Sequence, residues 1–152
     1  MLKLSVTKEA KCAVANKVFV ELSEKFEKVM KKRITEKIKK RNGEVDLVFV
    51  SDKKMQEMNL EYRKKNSPTD IISFAYLEVT EYEDWEESED IIVGDIFISV
   101  ETAKKQAKEQ KHSLEKEMRI LFVHGMLHLF GFDHQNDAQE KEMEKWAKKV
   151  LA

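Results

Sequence analysis

The chain has 152 residues, of which 41% are hydrophobic and 38% are charged, and its formal net charge is −1. This length fits one domain with a substantial core, and the balanced charge excludes a generally basic nucleic-acid binder. The single cysteine, Cys12, the lack of a signal-peptide pattern and the lack of a run of about 20 apolar residues predict a cytoplasmic protein with no membrane partner.

The first half of the chain alternates predicted strands and helices. Apolar and polar residues alternate at 2–6, as in a half-buried strand. Apolar residues then recur at helical spacing from about 13 to 40, in one helix or two, and Gly43 is expected to end this region. A second strand is predicted at 45–50, and a helix with a serine cap is predicted at 51–65.

The second half has two further predicted strands, at 71–77 and 91–98, separated by an acidic segment at 78–90 that we expect to be an exposed loop. Three more helices are predicted, at 101–110, from Ser113 through His128, and at 139–151. The order β, long α, β, α, β, β, α, α, α favours an α/β (α+β-like) fold with a small mixed sheet over a helical bundle.

Three histidines, His124, His128 and His134, are spaced as ligands of one metal ion. Residues four apart lie on the same helix face, so the first two can reach one ion. Gly131 can adopt the left-handed conformation that ends a helix, and that turn would bring His134 to the ion from another direction. Ordinary histidines are the alternative. However, three of the chain's four histidines fall within eleven residues, and three imidazoles leave one zinc position open for water, which favours one catalytic Zn²⁺ per chain.

The spacing His-x3-His-x2-Gly-x2-His is also that of metzincin metalloproteases. Those enzymes carry a glutamate directly after the first histidine as general base, and Gly125 stands there in this chain. Asp133 could replace that base or orient His134 instead. A single metallohydrolase domain over 1–152 is therefore predicted, with a metzincin-like metalloprotease as the weaker interpretation.

The histidine block at 124–134, His-Gly-Met-Leu-His-Leu-Phe-Gly-Phe-Asp-His, resembles the signature of the YbeY family of bacterial metal-dependent endoribonucleases, which mature ribosomal RNA. Three shorter blocks agree with the family in the same order. They are Asn59–Arg63 with Pro68–Phe74, then Gly94–Ile96, then Lys111–Ser113. Together they cover the chain from about Asn59 to His134.

The resemblance implies a mixed four-stranded sheet flanked by about five helices, with a zinc site on a helix and the turn after it. It implies that His124, His128 and His134 bind the zinc ion and that Arg63 is catalytic. It also implies a single-strand-specific endoribonuclease that acts in ribosomal RNA maturation and ribosome quality control, with single-stranded or ribosomal RNA and ribosomal proteins as partners. The family commonly has a glycine where this chain has Lys111, so we expect a slightly reshaped turn there.

The roles of several polar residues stay open at this point. The planar guanidinium of Arg63 suits the charge that develops on phosphoryl oxygens, although an arginine beside lysines is often a solvated surface group. Asp70 could orient Arg63 or a water, or cap the turn after a proline. Asp95 could face solvent at the edge of the sheet. His112 could contact phosphate or serve as a turn residue.

Charge is unevenly distributed along the chain. Basic clusters at 31–33, 37–41, 53–54 and 63–65 could track a phosphate backbone, or they could be solvated helix faces. The acidic segment at 78–90 should lie away from RNA, because it would repel phosphates. A third interpretation is a non-catalytic, zinc-containing ribosome assembly factor in which zinc is mainly structural.

Overall fold

A computed structural model of the chain describes residues 1–78 and 89–152. The strands are β1 (Leu2–Lys8), β2 (Asn42–Val50), β3 (Ile71–Ala75) and β4 (Asp90–Ser99). The helices are α1 (Asn16–Val29), α2 (Lys31–Ile38), α3 (Asp52–Arg63), α4 (Val100–Glu109), α5 (Leu114–Leu129) and α6 (Asp137–Leu151). The predicted α/β class with a small mixed four-stranded sheet is confirmed. Most of the predicted acidic loop, 79–88, lies outside the described residues.

The sheet has the strand order β1-β2-β4-β3. The first three of these strands run parallel, and β3 runs antiparallel to β4. One face of the sheet packs against α1 and α5 in the main core, where Leu47 and Ile96 are fully buried. The opposite face carries a smaller core in which Met55 of α3 packs with Val50 and Ile72. This arrangement puts α3 and α5 on opposite faces of the sheet.

The region predicted as one or two helices at about 13–40 forms two. Met30 has φ −100° and ψ 18°, which interrupts the helical path between α1 and α2. Lys39, with φ 58°, ends α2. The prediction that Gly43 ends this region was wrong, because Gly43 lies within β2. A Cβ atom at that position would lie 2.7 Å from Cγ2 of Val93, so the glycine serves close packing and not a turn.

Serine side chains begin three of the helices, as the sequence predicts for the first of them. The hydroxyl oxygens of Ser51, Ser99 and Ser113 each accept a hydrogen bond from the backbone N–H three residues later, at 3.2, 3.3 and 3.1 Å. These bonds satisfy backbone donors that a helix start leaves unpaired. The third cap fixes the start of α5, which carries two of the predicted zinc ligands.

Two details of the chain between the regular elements differ from, or add to, what the sequence predicts. The predicted strand at 71–77 ends at Ala75, and a 3-10 turn follows at Tyr76–Glu78. Lys111 has φ 57°, the left-handed conformation that a glycine adopts without steric cost. In the described ranges, no helix is both long and apolar enough to span a bilayer.

Candidate active site

Helix α5 presents His124 and His128 on one face, and both side chains are half-buried. The helix approaches the sheet closely at Gly125. A Cβ atom there would lie 3.0 Å from Cδ1 and from Cγ2 of Ile96, and 3.1 Å from Cδ1 of Ile71. The glycine thus lets α5 pack against the sheet, and the two histidines are held beside β3.

The turn after α5 fixes the orientation of His128. Gly131 has φ 93°, and its N–H donates to the carbonyl oxygen of His128 at 3.1 Å. The turn places the carbonyl oxygen of Phe132 at 2.9 Å from Nδ1 of His128. A carbonyl only accepts, so Nδ1 carries the proton and the ring lone pair is on Nε2, which is the usual arrangement of a metal-binding histidine. The predicted left-handed conformation of Gly131 is confirmed.

The same turn brings His134 next to His128. The two ring centroids are 5.2 Å apart and the rings are nearly perpendicular, at 87°. Oδ1 of Asp133 accepts a hydrogen bond from the backbone N–H of His134 at 2.8 Å and lies 3.9 Å from its Nδ1. Asp133 therefore braces the turn that carries His134.

The environment of His124 favours its neutral form. Burial lowers the pKa of His124, and the nearby imidazoles of His128 and His134 lower it further, while the carboxylate of Asp70 acts in the opposite direction. Only a neutral imidazole can bind a metal ion. The three histidines thus lie within electrostatic range of one another, and His124 is already biased toward the metal-binding form.

A cleft of about 520 Å³ opens beside these histidines. Its walls include Arg63, the segment 69–73, His128, Asp133 and His134. Arg63 is the last residue of α3 and is exposed. Arg63, predicted from a block some 60 residues before the histidines, thus shares a cleft with two of them.

Local structure holds the segment that carries Arg63 in place. Lys64, with φ 58°, ends α3 in a left-handed conformation. The side-chain amide of Asn59 donates to the carbonyl oxygen of Ser67 at 2.7 Å. These contacts fold the chain after α3 back toward β3, so that Thr69 and Asp70 join Arg63 in the wall of the cleft.

The donor chemistry of the site fits zinc. Within the ranges 1–78 and 89–152, no three histidine, cysteine, aspartate or glutamate side chains converge closely enough to hold one ion together. Nevertheless, His128 and His134 are adjacent, and His128 has the tautomer that puts its lone pair on Nε2. Imidazole nitrogens are preferred zinc ligands. His124, His128 and His134 are therefore the residues that could hold the ion.

A polar network that the sequence did not predict lies behind the cleft. Nε2 of His112 lies 2.6 Å from Oε2 of the buried Glu117. With its amide nitrogen turned toward the carboxylates, Gln106 donates to Oε1 of Glu117 at 3.0 Å and to Oδ2 of Asp70 at 3.3 Å. His112 is thus tied to a carboxylate. Glu117 lies two helical turns before His124 and therefore on the same face of α5, and this spacing could have indicated from the sequence that Glu117 lies near the site.

Asp95, whose role the sequence left open, does not lie at the edge of the sheet. Its strand, β4, is an interior strand that pairs with β2 on one side and β3 on the other. Oδ2 of Asp95 accepts a hydrogen bond from the hydroxyl of Tyr76 at 2.7 Å. This bond, with burial and the charge of Asp95, raises the pKa of Tyr76 to about 12. The carboxylate of Asp95 in this interior strand thus has a hydrogen-bond donor, the hydroxyl of Tyr76.

Comparison with known proteins agrees with this geometry. The model of the family described as Endoribonuclease YbeY matches residues 8–152. An Endoribonuclease YbeY of Heliobacterium modesticaldum is 46% identical over 112 residues, covering 71% of this chain and 68% of the relative. One of Lysinibacillus sphaericus is 41% identical over 130 residues, covering 84% of this chain and 83% of the relative.

A solved structure is similar as well. The solution structure of TM1509 from Thermotoga maritima matches with a TM-score of 0.60 and 25% identity, covering 98% of this chain and 89% of that one. The family predicted from the histidine block and its companion blocks, a family of enzymes, is thus confirmed. The chain belongs to the Endoribonuclease YbeY family.

Proposed function

We propose that this chain is a zinc-dependent, single-strand-specific endoribonuclease that acts in ribosomal RNA maturation and ribosome quality control. Residues 1–152 would form a single metallohydrolase domain that holds one Zn²⁺. The observation that supports this most strongly is that Arg63 lines the same cleft as His128 and His134. An imidazole cluster beside a guanidinium suits metal-dependent phosphodiester hydrolysis. The imidazoles can bind the metal ion, and the guanidinium can stabilise the negative charge that develops on the phosphoryl oxygens.

His124, His128 and His134 are the proposed zinc ligands. When bound, the ion would lower the pKa of a water molecule and polarise a phosphoryl oxygen. The carbonyl oxygen of Phe132 holds the ring of His128 in one tautomer, and Asp133 braces the turn of His134. Such supporting contacts typically change metal affinity by about 10- to 100-fold.

Arg63 is the proposed catalytic residue. Its guanidinium can donate two parallel hydrogen bonds to the nonbridging oxygens of the phosphate, and these bonds strengthen as charge builds in the transition state. The end of α3 and the bond from Asn59 to Ser67 keep the arginine at the mouth of the cleft. Asp70, held by Gln106, is suited to orient Arg63 or a water molecule.

The partners follow from the proposed activity and the family. We expect single-stranded or ribosomal RNA as substrate, ribosomal proteins as binding partners, and a cytoplasmic location. A metzincin-like metalloprotease is disfavoured, because Gly125 stands where those enzymes carry their glutamate base. A glutamate there would also have to enter the packed contact with Ile96.

Chelation and rescue test this proposal. Purified protein is incubated with single-stranded RNA, double-stranded RNA and an unfolded protein, first with a chelator and then with added Zn²⁺. We expect cleavage of single-stranded RNA alone, loss of cleavage under chelation and its return with zinc. If RNA stays intact in the presence of zinc, the nuclease proposal is wrong; if zinc is nonetheless needed for folding, the non-catalytic assembly factor takes its place.

A further inference from the structure

A second, smaller pocket lies where the junction of α1 and α2 meets α6. Its volume is about 210 Å³, and its apolar wall includes the rings of Phe132 and Trp146. We call it the Phe132 pocket. Pockets for drug-sized ligands measure roughly 300–1,000 Å³. The Phe132 pocket is therefore suited to a single planar ring system and not to a larger molecule.

The pocket shares a wall with the candidate active site. Phe132 lines both the Phe132 pocket and the cleft that contains Arg63 and His134. The carbonyl oxygen of the same residue holds the ring of His128. A strand whose phosphate lies in the cleft would therefore have a neighbouring nucleotide next to the Phe132 pocket.

Flat groups in and around the pocket are suited to stacking. The guanidinium carbon of Arg33 lies 4.5 Å from the centroid of the Phe132 ring. Nζ of Lys149 lies 4.5 Å from the centroid of the Trp146 ring. The guanidinium of Arg33 thus already covers one face of the largely buried Phe132 ring. Proteins that bind single-stranded RNA stack splayed-out bases on aromatic rings and on the outer faces of guanidinium planes. The lining thus suits a nucleobase.

The charges of the lining argue for a base and against a phosphate. Lys32 and Arg33 are balanced by Glu36 and Glu142, so the lining has no net charge. A phosphate would meet two carboxylates there. Neither carboxylate forms a hydrogen bond or ion pair with another residue in the described part of the chain. Carboxylates accept hydrogen bonds from exocyclic amino groups, as glutamate does from N4 of cytosine.

We infer that the Phe132 pocket holds one amino-bearing nucleobase of the RNA strand and thereby prefers cytosine to uracil next to the cleavage site. This inference rests on the proposed function. Cytosine and uracil have nearly the same size and differ where cytosine carries an amino group and uracil a carbonyl oxygen. The carboxylates of Glu36 and Glu142 would accept hydrogen bonds from the amino group of cytosine and repel the carbonyl oxygen of uracil.

The test compares fluorescently labelled oligocytidylate and oligouridylate of equal length. Their affinities are measured by anisotropy with chelator present, and their cleavage rates are measured with Zn²⁺. The wild type should bind oligocytidylate about fivefold more tightly, the lower end of the discrimination that a specific base contact gives. The variant E36M/E142M lacks both acceptors and should bring this ratio close to one.

Two control variants separate base recognition from general effects. E24M/E109M removes the same charge from exposed positions that line neither the Phe132 pocket nor the cleft, and it should keep the wild-type ratio. Trp146→Leu should weaken binding of both strands about fivefold, because it removes a stacking surface.

The outcomes distinguish this inference from the function on which it rests. Loss of the cytosine preference in E36M/E142M, with the preference kept in E24M/E109M, supports the inference. Equal binding of the two strands by the wild type, or an unchanged ratio in E36M/E142M, overturns it while RNA cleavage leaves the nuclease proposal standing. Absence of both binding and cleavage overturns the two together.

Discussion

The carbonyl oxygen of Phe132 accepts a hydrogen bond from Nδ1 of His128 at 2.9 Å, across the turn that Gly131 makes possible. This bond links the end of α5 to the tautomer of a proposed zinc ligand. This turn, together with the packing of α5 on the sheet, determines the expected effects of substitutions at His128, Gly131 and Gly125.

Replacing His128 by asparagine should remove zinc while leaving the turn in place. The asparagine amide can still donate to Phe132, but it provides no equivalent of the Nε2 lone pair. We expect zinc content after dialysis to fall well below one ion per chain, measured by elemental analysis. The circular dichroism spectrum of the metal-free protein should be unchanged. One zinc ion per chain in His128→Asn would show that this histidine is not a ligand.

Gly131→Ala should destabilise the metal-free protein. With φ at 93°, an alanine at this position would pay about 1–2 kcal/mol for the left-handed conformation. The free energy of unfolding from urea titration measures this loss. Lys111→Gly is the matched control, because Lys111 has φ 57° and glycine relieves that strain, so no comparable loss is expected. A Gly131→Ala variant as stable as the wild type would contradict this account of the turn.

Gly125→Glu should fail to produce a protease. A Cβ atom would already lie 3.0 Å from Ile96, and burying the carboxylate as well should cost about 3 kcal/mol or more. Urea titration would measure the loss, and an unfolded-protein substrate would report proteolysis. Gly125→Ala should lose less, because only a methyl must fit and alanine gains about 1 kcal/mol of helix propensity. A stable, proteolytic Gly125→Glu variant would restore the protease interpretation.

The proximity of the histidines could be predicted because it depends on residues that are close together in the sequence. Spacings of four residues and a glycine turn determine which side chains share a helix face, and these features are read directly from the sequence. The approach of Arg63 depends on how α3 and β3 meet across the sheet, so only the family resemblance could suggest it. The network of Asp70, Gln106 and Glu117 joins three separate elements, and sequence periodicity gave no pairing between them.

The error at Gly43 and the open role of Asp95 both arise from contacts between residues that are distant in the sequence. Gly43 looked like a helix end because glycine often provides a left-handed turn. Its actual role, room for Val93, depends on a neighbouring strand. The role of Asp95 stayed open, because a carboxylate in an apolar strand often faces water. Its partner, the hydroxyl of Tyr76, comes from a turn 19 residues earlier, which no local pattern reveals.

The bond between Tyr76 and Asp95 should appear in an alkaline titration. The pKa of Tyr76 is raised from 10.0 to about 12. The folded chain therefore binds more protons than the unfolded chain between these values. The resulting stability is complete below pH 10 and declines as the pH rises from 10 toward 12.

The difference in ultraviolet absorbance between the wild type and Tyr76→Phe isolates this ionisation. Its midpoint should lie near pH 12. Asp95→Asn should bring the midpoint down, because it removes both the charge and the strongest acceptor of the hydrogen bond. A midpoint near pH 10 in the wild type would mean that the hydrogen bond is absent in solution.

The central claim is that Arg63 acts on the phosphate beside a zinc ion held by three histidines. Its most direct test is kcat/KM for cleavage of single-stranded RNA by Arg63→Ala, with zinc content verified as equal to that of the wild type. We predict a loss of about 10²–10³-fold, the usual cost of removing a donor that stabilises transition-state charge. Arg63→Lys should recover part of this loss, and Lys64→Ala should stay close to the wild type. Full activity in Arg63→Ala at equal zinc content would contradict the account.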